Sequence, residues 1–149
     1  MRFKEVSKLL KLFPKYLIVT GSYVRRHPII NDIDFLTLKP INYVMKAMFN
    51  RFHKVKIISS GKNKVFFSIY LPNRIKPITI NIWHVPNKHL MPYYKLEYNS
   101  GMNIIHIKRE ARKKGFKLSI KGLQNLKTKE FVKGLTTPLK ILKYINLLP

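Results

Sequence analysis

The order of apolar and polar positions along the chain predicts short elements of changing period. Residues 4–13 place Val6, Leu9, Leu10 and Phe13 at helical spacing, and Pro14 closes that helix. Residues 16–19 form a continuous apolar run, read as a short buried strand. A Gly21-Ser22 turn follows, then a short helix from about Tyr23 that Pro28 stops. From residue 32 the period becomes two: Ile33 and Phe35 point one way, Asp32 and Asp34 the other. A second helix runs from Pro40 to about Phe52, burying Val44, Met48 and either Phe52 or Ala47. Strands are expected over 55–59, 65–71 and 77–83, separated by turns at Gly61-Lys62-Asn63 and Pro72-Asn73. In the last of these, Ile78, Ile80 and Ile82 alternate with Thr79, Asn81 and Trp83.

After Pro86 the character changes. Residues 87–97 read as mixed loop or short helix, and 98–101 as a turn. A basic helix over 103–114 ends at Gly115. Small strands are expected at 117–120, 122–126 and 131–132. Thr136 or Thr137 caps a last helix with Pro138 in its first turn, burying Leu139, Leu142 and Ile145. Strands and helices in this order predict an α+β fold. The predicted division is 1–87 and 88–149.

Charge is the compositional feature that changes the picture most. Thirty Lys and Arg face six Asp and Glu, a net +24, so a polyanion is the expected partner. The basic residues run through the whole chain and form no single juxtamembrane block, and no apolar run is long enough to span a bilayer. The reading is therefore of a chain without a membrane partner, and its first residues look like an amphipathic helix, not a secretory signal. With no cysteine there is neither a disulfide nor a thiolate metal site, and the histidines lack ligand spacing.

Asp32 and Asp34 are the only aspartates in the chain. Two carboxylates on one strand face repel unless a positive charge sits between them, and a hard divalent cation such as Mg²⁺ is the usual solution. Upstream, Gly21 and Ser22 can offer backbone N–H groups to an anion, and Arg25 can add a charge-assisted contact. Metal-binding acids beside a phosphate clamp point to phosphoryl transfer from a nucleotide. Asn81 joins them if its strand pairs beside Asp32 and Asp34; otherwise it is an ordinary hydrogen-bonding strand residue. The helix bearing Lys108, Arg109, Arg112 and Lys113 concentrates charge beyond what solubility needs and suits DNA contact.

This order of motifs resembles family X DNA polymerases of the polymerase-beta type, in particular the reduced viral form that keeps only palm and C-terminal lobe. The resemblance runs the length of the chain. It rests on Gly21-Ser22 with Arg25, on Asp32-Ile33-Asp34, on Leu71-Pro72 and the Ile80-Asn81-Ile82 strand, and on Tyr98-Asn99-Ser100-Gly101. It continues through residues 112–118, Gly122-Leu123, and an ending at Pro149. It implies a nucleotidyltransferase palm over 1–87 and a helix-and-hairpin lobe over 88–149, with no N-terminal lyase domain. The implied activity is filling of short gaps in DNA repair by two-metal nucleotidyl transfer. Asp32, Asp34 and the Asn81 position would hold two Mg²⁺ ions, with Mn²⁺ as an alternative. Gly21, Ser22, Arg25, Tyr98, Asn99 and Gly101 would bind the dNTP, and Asn103 would reach the DNA minor groove. Gapped or nicked DNA and dNTP are the implied partners of a monomer, in an intracellular setting such as host cytoplasm or virion.

Two positions depart from the family pattern. Asn81 stands where the family has a third aspartate, which ligands the catalytic metal and accepts the primer proton. Asn99 replaces an aromatic that helps exclude ribonucleotides. Two alternatives therefore stand beside the polymerase: a template-independent nucleotidyltransferase, and a catalytically silent protein that binds gapped DNA or nucleotide.

Overall fold

In the computed structural model, which describes residues 1–147, period-two alternation decides which way each strand faces. Leu148 and Pro149 lie outside the described residues, and with them the end of the family-like ending. The first elements are α1 (Phe3–Leu9), continued by a 3-10 turn over Leu10–Leu12, then β1 (Ile18–Thr20) and β2 (Asp32–Thr37). After them come α2 (Ile41–Arg51), β3 (Lys54–Ser60), β4 (Lys64–Tyr70) and β5 (Ile78–His84). The five strands form one mixed sheet in the order β1-β2-β5-β4-β3. Only β2 and β5 run parallel; the other neighbours are antiparallel.

One face of this sheet is the core. Ile33 and Phe35 of β2, Val65, Phe67 and Ile69 of β4, and Ile78, Ile80 and Ile82 of β5 are buried there. Val6 of α1 and Ile41, Val44, Met45 and Met48 of α2 close over them. Phe13 lies between Phe35 and Phe52, with ring centroids 5.0 and 5.2 Å away. A buried ring of this kind contributes about 3–5 kcal/mol against alanine. The opposite face is set by the same register: Asp32 and Asp34, then Thr79, Asn81 and Trp83, then Lys64 and Phe66.

The chain divides into two compact units after Pro86. The second unit holds a 3-10 turn (Lys88–Leu90), α3 (Met91–Asn99), α4 (Asn103–Lys113), the hairpin β6 (Phe116–Ser119) with β7 (Gly122–Asn125), and α5 (Pro138–Tyr144). Its own core gathers Tyr93, Leu96, Ile107, Ala111, Leu118, Leu123, Ile141 and Ile145. The molecule is thus α+β, a mixed sheet with helices plus a smaller helix-and-hairpin unit, as the sequence predicts.

Several local expectations change. No helix follows Ser22: residues 21–26 are a run of turns in which Arg26 takes a positive φ of 56°. Side chains there bind α1 instead of continuing a helix. Tyr23 stacks on Phe3 (4.6 Å, 5°) and its hydroxyl bonds Ser7 Oγ at 2.9 Å, while the Arg26 guanidinium lies over Phe3. Tyr98 and Asn99 close α3 and do not open a turn. Phe131 forms a single bridge to Gln124, so 131–132 is no third strand. Thr137 caps α5, accepting from the Lys140 amide at 3.1 Å. The helix buries Ile141 with Ile145 beyond its end, and leaves Leu139 half exposed. Ile141 and Ile145 join side chains of α3, α4 and the hairpin in the core of the second unit, and Leu142 is partly buried against it.

Candidate active site

The site grows from the middle of the sheet. In β2, Asp34 pairs with Thr20 of β1 on one side and with Asn81 of β5 on the other; Asp32 pairs with Thr79. Paired residues share a face, so β5 delivers one donor to each carboxylate. The Thr79 hydroxyl donates to Asp32 Oδ1, and Asn81 Nδ2 donates to Asp34 Oδ1 at 3.1 Å. β5 does pair beside β2, and Asn81 touches Asp34.

Asp34 is partly buried, and that burial, the largest influence on it, pushes its carboxyl above the usual carboxylate range. The hydrogen bond from Asn81 opposes this, the charge of Asp32 adds to it, and the charges of Arg25 and Lys64 pull it back down. At Asp34, burial and the neighbouring Asp32 charge outweigh the Asn81 bond, Arg25 and Lys64. A hard cation would relieve both the desolvation and the repulsion, so the donor set fits a divalent ion whose other positions are filled by water or ligand oxygens. Among the described residues no three His, Cys, Asp or Glu side chains cluster. The two carboxylates are the anionic groups this face offers such an ion, with the Asn81 amide and the Thr79 hydroxyl bonded to them.

Gly21 forms the floor beside Asp34. Its φ is +72°, a conformation that glycine adopts without steric cost. A β-carbon at this position would stand 2.2 Å from Asp34 Oδ2. The turn is closed by Arg25 N–H donating to Gly21 O (3.2 Å) and His27 N–H to Ser22 O (3.1 Å). The sequence pattern predicts anion-binding amides at a helix start; the structure offers turn amides without a helix dipole behind them. Ser22 and Arg25 are both half-buried.

Thr79 and Lys64 are site residues that the sequence pattern alone does not single out. Thr79 was legible only as a neighbour of Asn81 at i−2, on the same strand face. Lys64 reaches the site through register: it opposes Trp83 across β4 and β5, with its ammonium 5.0 Å from the Trp83 ring centroid. Nothing local in the sequence marks that pairing.

The remaining candidates belong to the second unit. Tyr98 is half-buried and tilted against Tyr94 at 6.2 Å, and its hydroxyl is pushed up by burial and by the neighbouring Glu97. Asn99 ends α3, and Gly101 takes a positive φ of 59° in the turn that follows. On α4, Ile107 and Ala111 face inward, which turns Arg109 outward with Arg112 and Lys113. Asn103 opens that helix and is exposed. Two of the cations are engaged: Lys108 binds Glu97 at 2.7 Å, and Lys113 binds Glu110 at 3.1 Å.

No sequence family matches the chain, and no curated protein matches it. Among solved structures it is similar to Leishmania infantum polymerase beta, in a structure described as a ternary P/T complex. The TM-score is 0.75 at 18% identity, covering 100% of this chain and 73% of that one. The likeness shows a polymerase-beta-like fold. No helix among the described residues is long and apolar enough to cross a membrane.

Proposed function

We propose that this chain is a family X-type nucleotidyltransferase that adds a deoxynucleotide to the 3′-hydroxyl of a DNA primer at short gaps. One observation carries the reading: two carboxylates on the open face of β2, each held by a donor from β5, stand beside the Gly21–Ser22 turn. The fold supports it, and so does a charge of +24 suited to a nucleic-acid partner.

In this reading the turn amides, Ser22 and Arg25 bind the triphosphate of a dNTP. Asp32 and Asp34 would hold Mg²⁺, or Mn²⁺ in its place. The ion would supply charge neutralisation at the phosphates and acidity at the primer hydroxyl. The primer 3′-oxygen forms a bond to the α-phosphorus, the bond to the β-phosphate bridge breaks, and pyrophosphate leaves. The hydroxyl proton must go to solvent, because the Asn81 amide is no base. The first unit acts as the palm. The second unit, in this reading of a monomer, contributes Asn103, Arg109 and Arg112 to the binding of gapped or nicked DNA.

Asn81 itself favours a second reading, a protein that binds nucleotide and gapped DNA without turnover. Loss of a general base costs about 10²–10⁴-fold in rate. The test is incorporation of each dNTP in Mg²⁺ on a duplex with a single-nucleotide gap, for this chain and for Asn81→Asp. Template-matched addition by Asn81→Asp, with far slower addition by the native chain, supports the polymerase. Gap binding without addition by either supports the silent binder. Addition that ignores the template supports a template-independent transferase.

A further inference from the structure

We infer that the β2–β5 register builds a site for one divalent cation, delivered with a nucleotide, and that Thr79 and Asn81 act there as positioning residues. The inference rests on the proposed nucleotide site and specifies how many ions it holds.

The hydrogen bonds give the first half. Thr79 and Asn81 each spend their donor on the Oδ1 atom of the carboxylate opposite them. The Asn31 carbonyl, 3.3 Å from Thr79 Oγ1, is a second acceptor beside the same hydroxyl. Both carboxylates are thereby fixed in rotation before any ligand arrives. Groups that orient ligands in this way typically change metal affinity by about 10–100-fold when removed.

Charge gives the second half. Asp32 and Asp34 contribute two negative charges, while Arg25 and Lys64 already act on Asp34 from nearby. Counted over these four side chains the charges cancel, so the two carboxylates by themselves hold a bare divalent ion only weakly. The phosphates of a nucleotide supply the missing negative charge, so ion and nucleotide bind together. A second ion about 3.5–4 Å from the first would need a further anionic ligand. At that position β5 presents an amide whose N–H group is turned to Asp34. Among the described residues no other acid stands in the cluster.

The test counts Mn²⁺ by electron paramagnetic resonance, with a methylene-bridged, non-hydrolysable dNTP analogue and an analogue-only blank. The expected result is one Mn²⁺ per protein–nucleotide complex in the native chain and two in Asn81→Asp. Thr79→Val keeps one ion but binds it ~10–100-fold more weakly, and Thr79→Ser restores the affinity. Two ions in the native chain, or a single ion still in Asn81→Asp, would overturn the inference. Unchanged affinity in Thr79→Val would overturn the role given to Thr79. If neither the native chain nor Asn81→Asp retains the Mn²⁺ nucleotide at all, the proposed function itself fails. Unfolding temperatures measured without Mn²⁺ show that each variant is folded.

Discussion

Gly21 and Asp34 meet so closely across the β1–β2 pair that the glycine has no room for a side chain: a β-carbon there would lie 2.2 Å from Asp34 Oδ2 and 3.1 Å from its Cγ. The Gly21–Ser22 turn and the acidic strand are therefore one fitted unit. What holds the turn in place also sets where the carboxylate can point.

Gly21→Ala should damage both halves of that unit. The substitution meets the carboxylate and also forces alanine into a φ of +72°. Backbone strain of this type costs about 1–3 kcal/mol. The expected outcome is a lowered Tm together with loss of dNTP binding, measured by thermal unfolding and by fluorescence titration. A variant with native nucleotide affinity would show that the turn and the carboxylate are independent.

Asp34→Asn should do the opposite to stability. The carboxylate is partly buried and repelled by Asp32, and the amide keeps an oxygen to accept from Asn81. In cation-free buffer at neutral pH the variant should melt higher than the native chain, because it buries no charge. It should also lose Mn²⁺-dependent nucleotide binding. Calorimetry with and without Mn²⁺ checks both. A drop in Tm without cation would mean that Arg25 and Lys64 already compensate Asp34 fully.

The pattern of the chain made the acidic face readable because strand geometry is local: Asp32 and Asp34 two residues apart must point together, whatever pairs with them. Asn81 was readable only up to its face. Its contact with Asp34 depends on β5 entering the sheet beside β2, in parallel and in one register, after α2, β3 and β4 have intervened. Lys64 was hidden for the same reason. The helix expected after Ser22 failed on a tertiary contact, since Phe3 and Ser7 of α1 engage Tyr23 and the chain turns to meet them. On α5, Leu139 and Ile141 satisfied the helical period equally well, and the choice was made by the tertiary core that α3, α4 and the hairpin form together.

The Glu5–Arg74 pair gives a pH-dependent tie between α1 and the loop that joins β4 to β5. Arg74 donates to Glu5 at 3.0 Å, and this bond is the main reason that the Glu5 carboxyl lies below its ordinary value. A carboxylate with a depressed folded-state pKa adds stability above its unfolded pKa and loses it as pH falls through the folded value. Glu5→Gln should therefore lower Tm slightly at pH 7. The difference should shrink as pH falls from the ordinary carboxylate value and vanish below the lowered folded value, and it should shrink with salt because the pair is exposed. Parallel melting curves against pH test this; a difference that grows in acid would reverse the sign.

The cations of α4 should not be equal in DNA binding, although the sequence presents them as one basic run. Arg109 points away from the buried Ile107–Ala111 side, whereas Lys108 is held by Glu97 at 2.7 Å. A lysine already neutralised must give up that partner before it meets a phosphate, and so releases less counterion on binding. Removing a cation that binds one phosphate reduces the slope of log K against log salt by about one. Arg109→Ala should show that reduction on gapped duplex DNA, and Lys108→Ala a smaller one. Glu97→Gln, which frees Lys108 without removing it, should tighten binding and steepen the slope. Fluorescence anisotropy across a salt series measures all three. Equal slopes for Arg109→Ala and Lys108→Ala would show that DNA displaces Glu97, and that the ion pair does not set the contribution of Lys108.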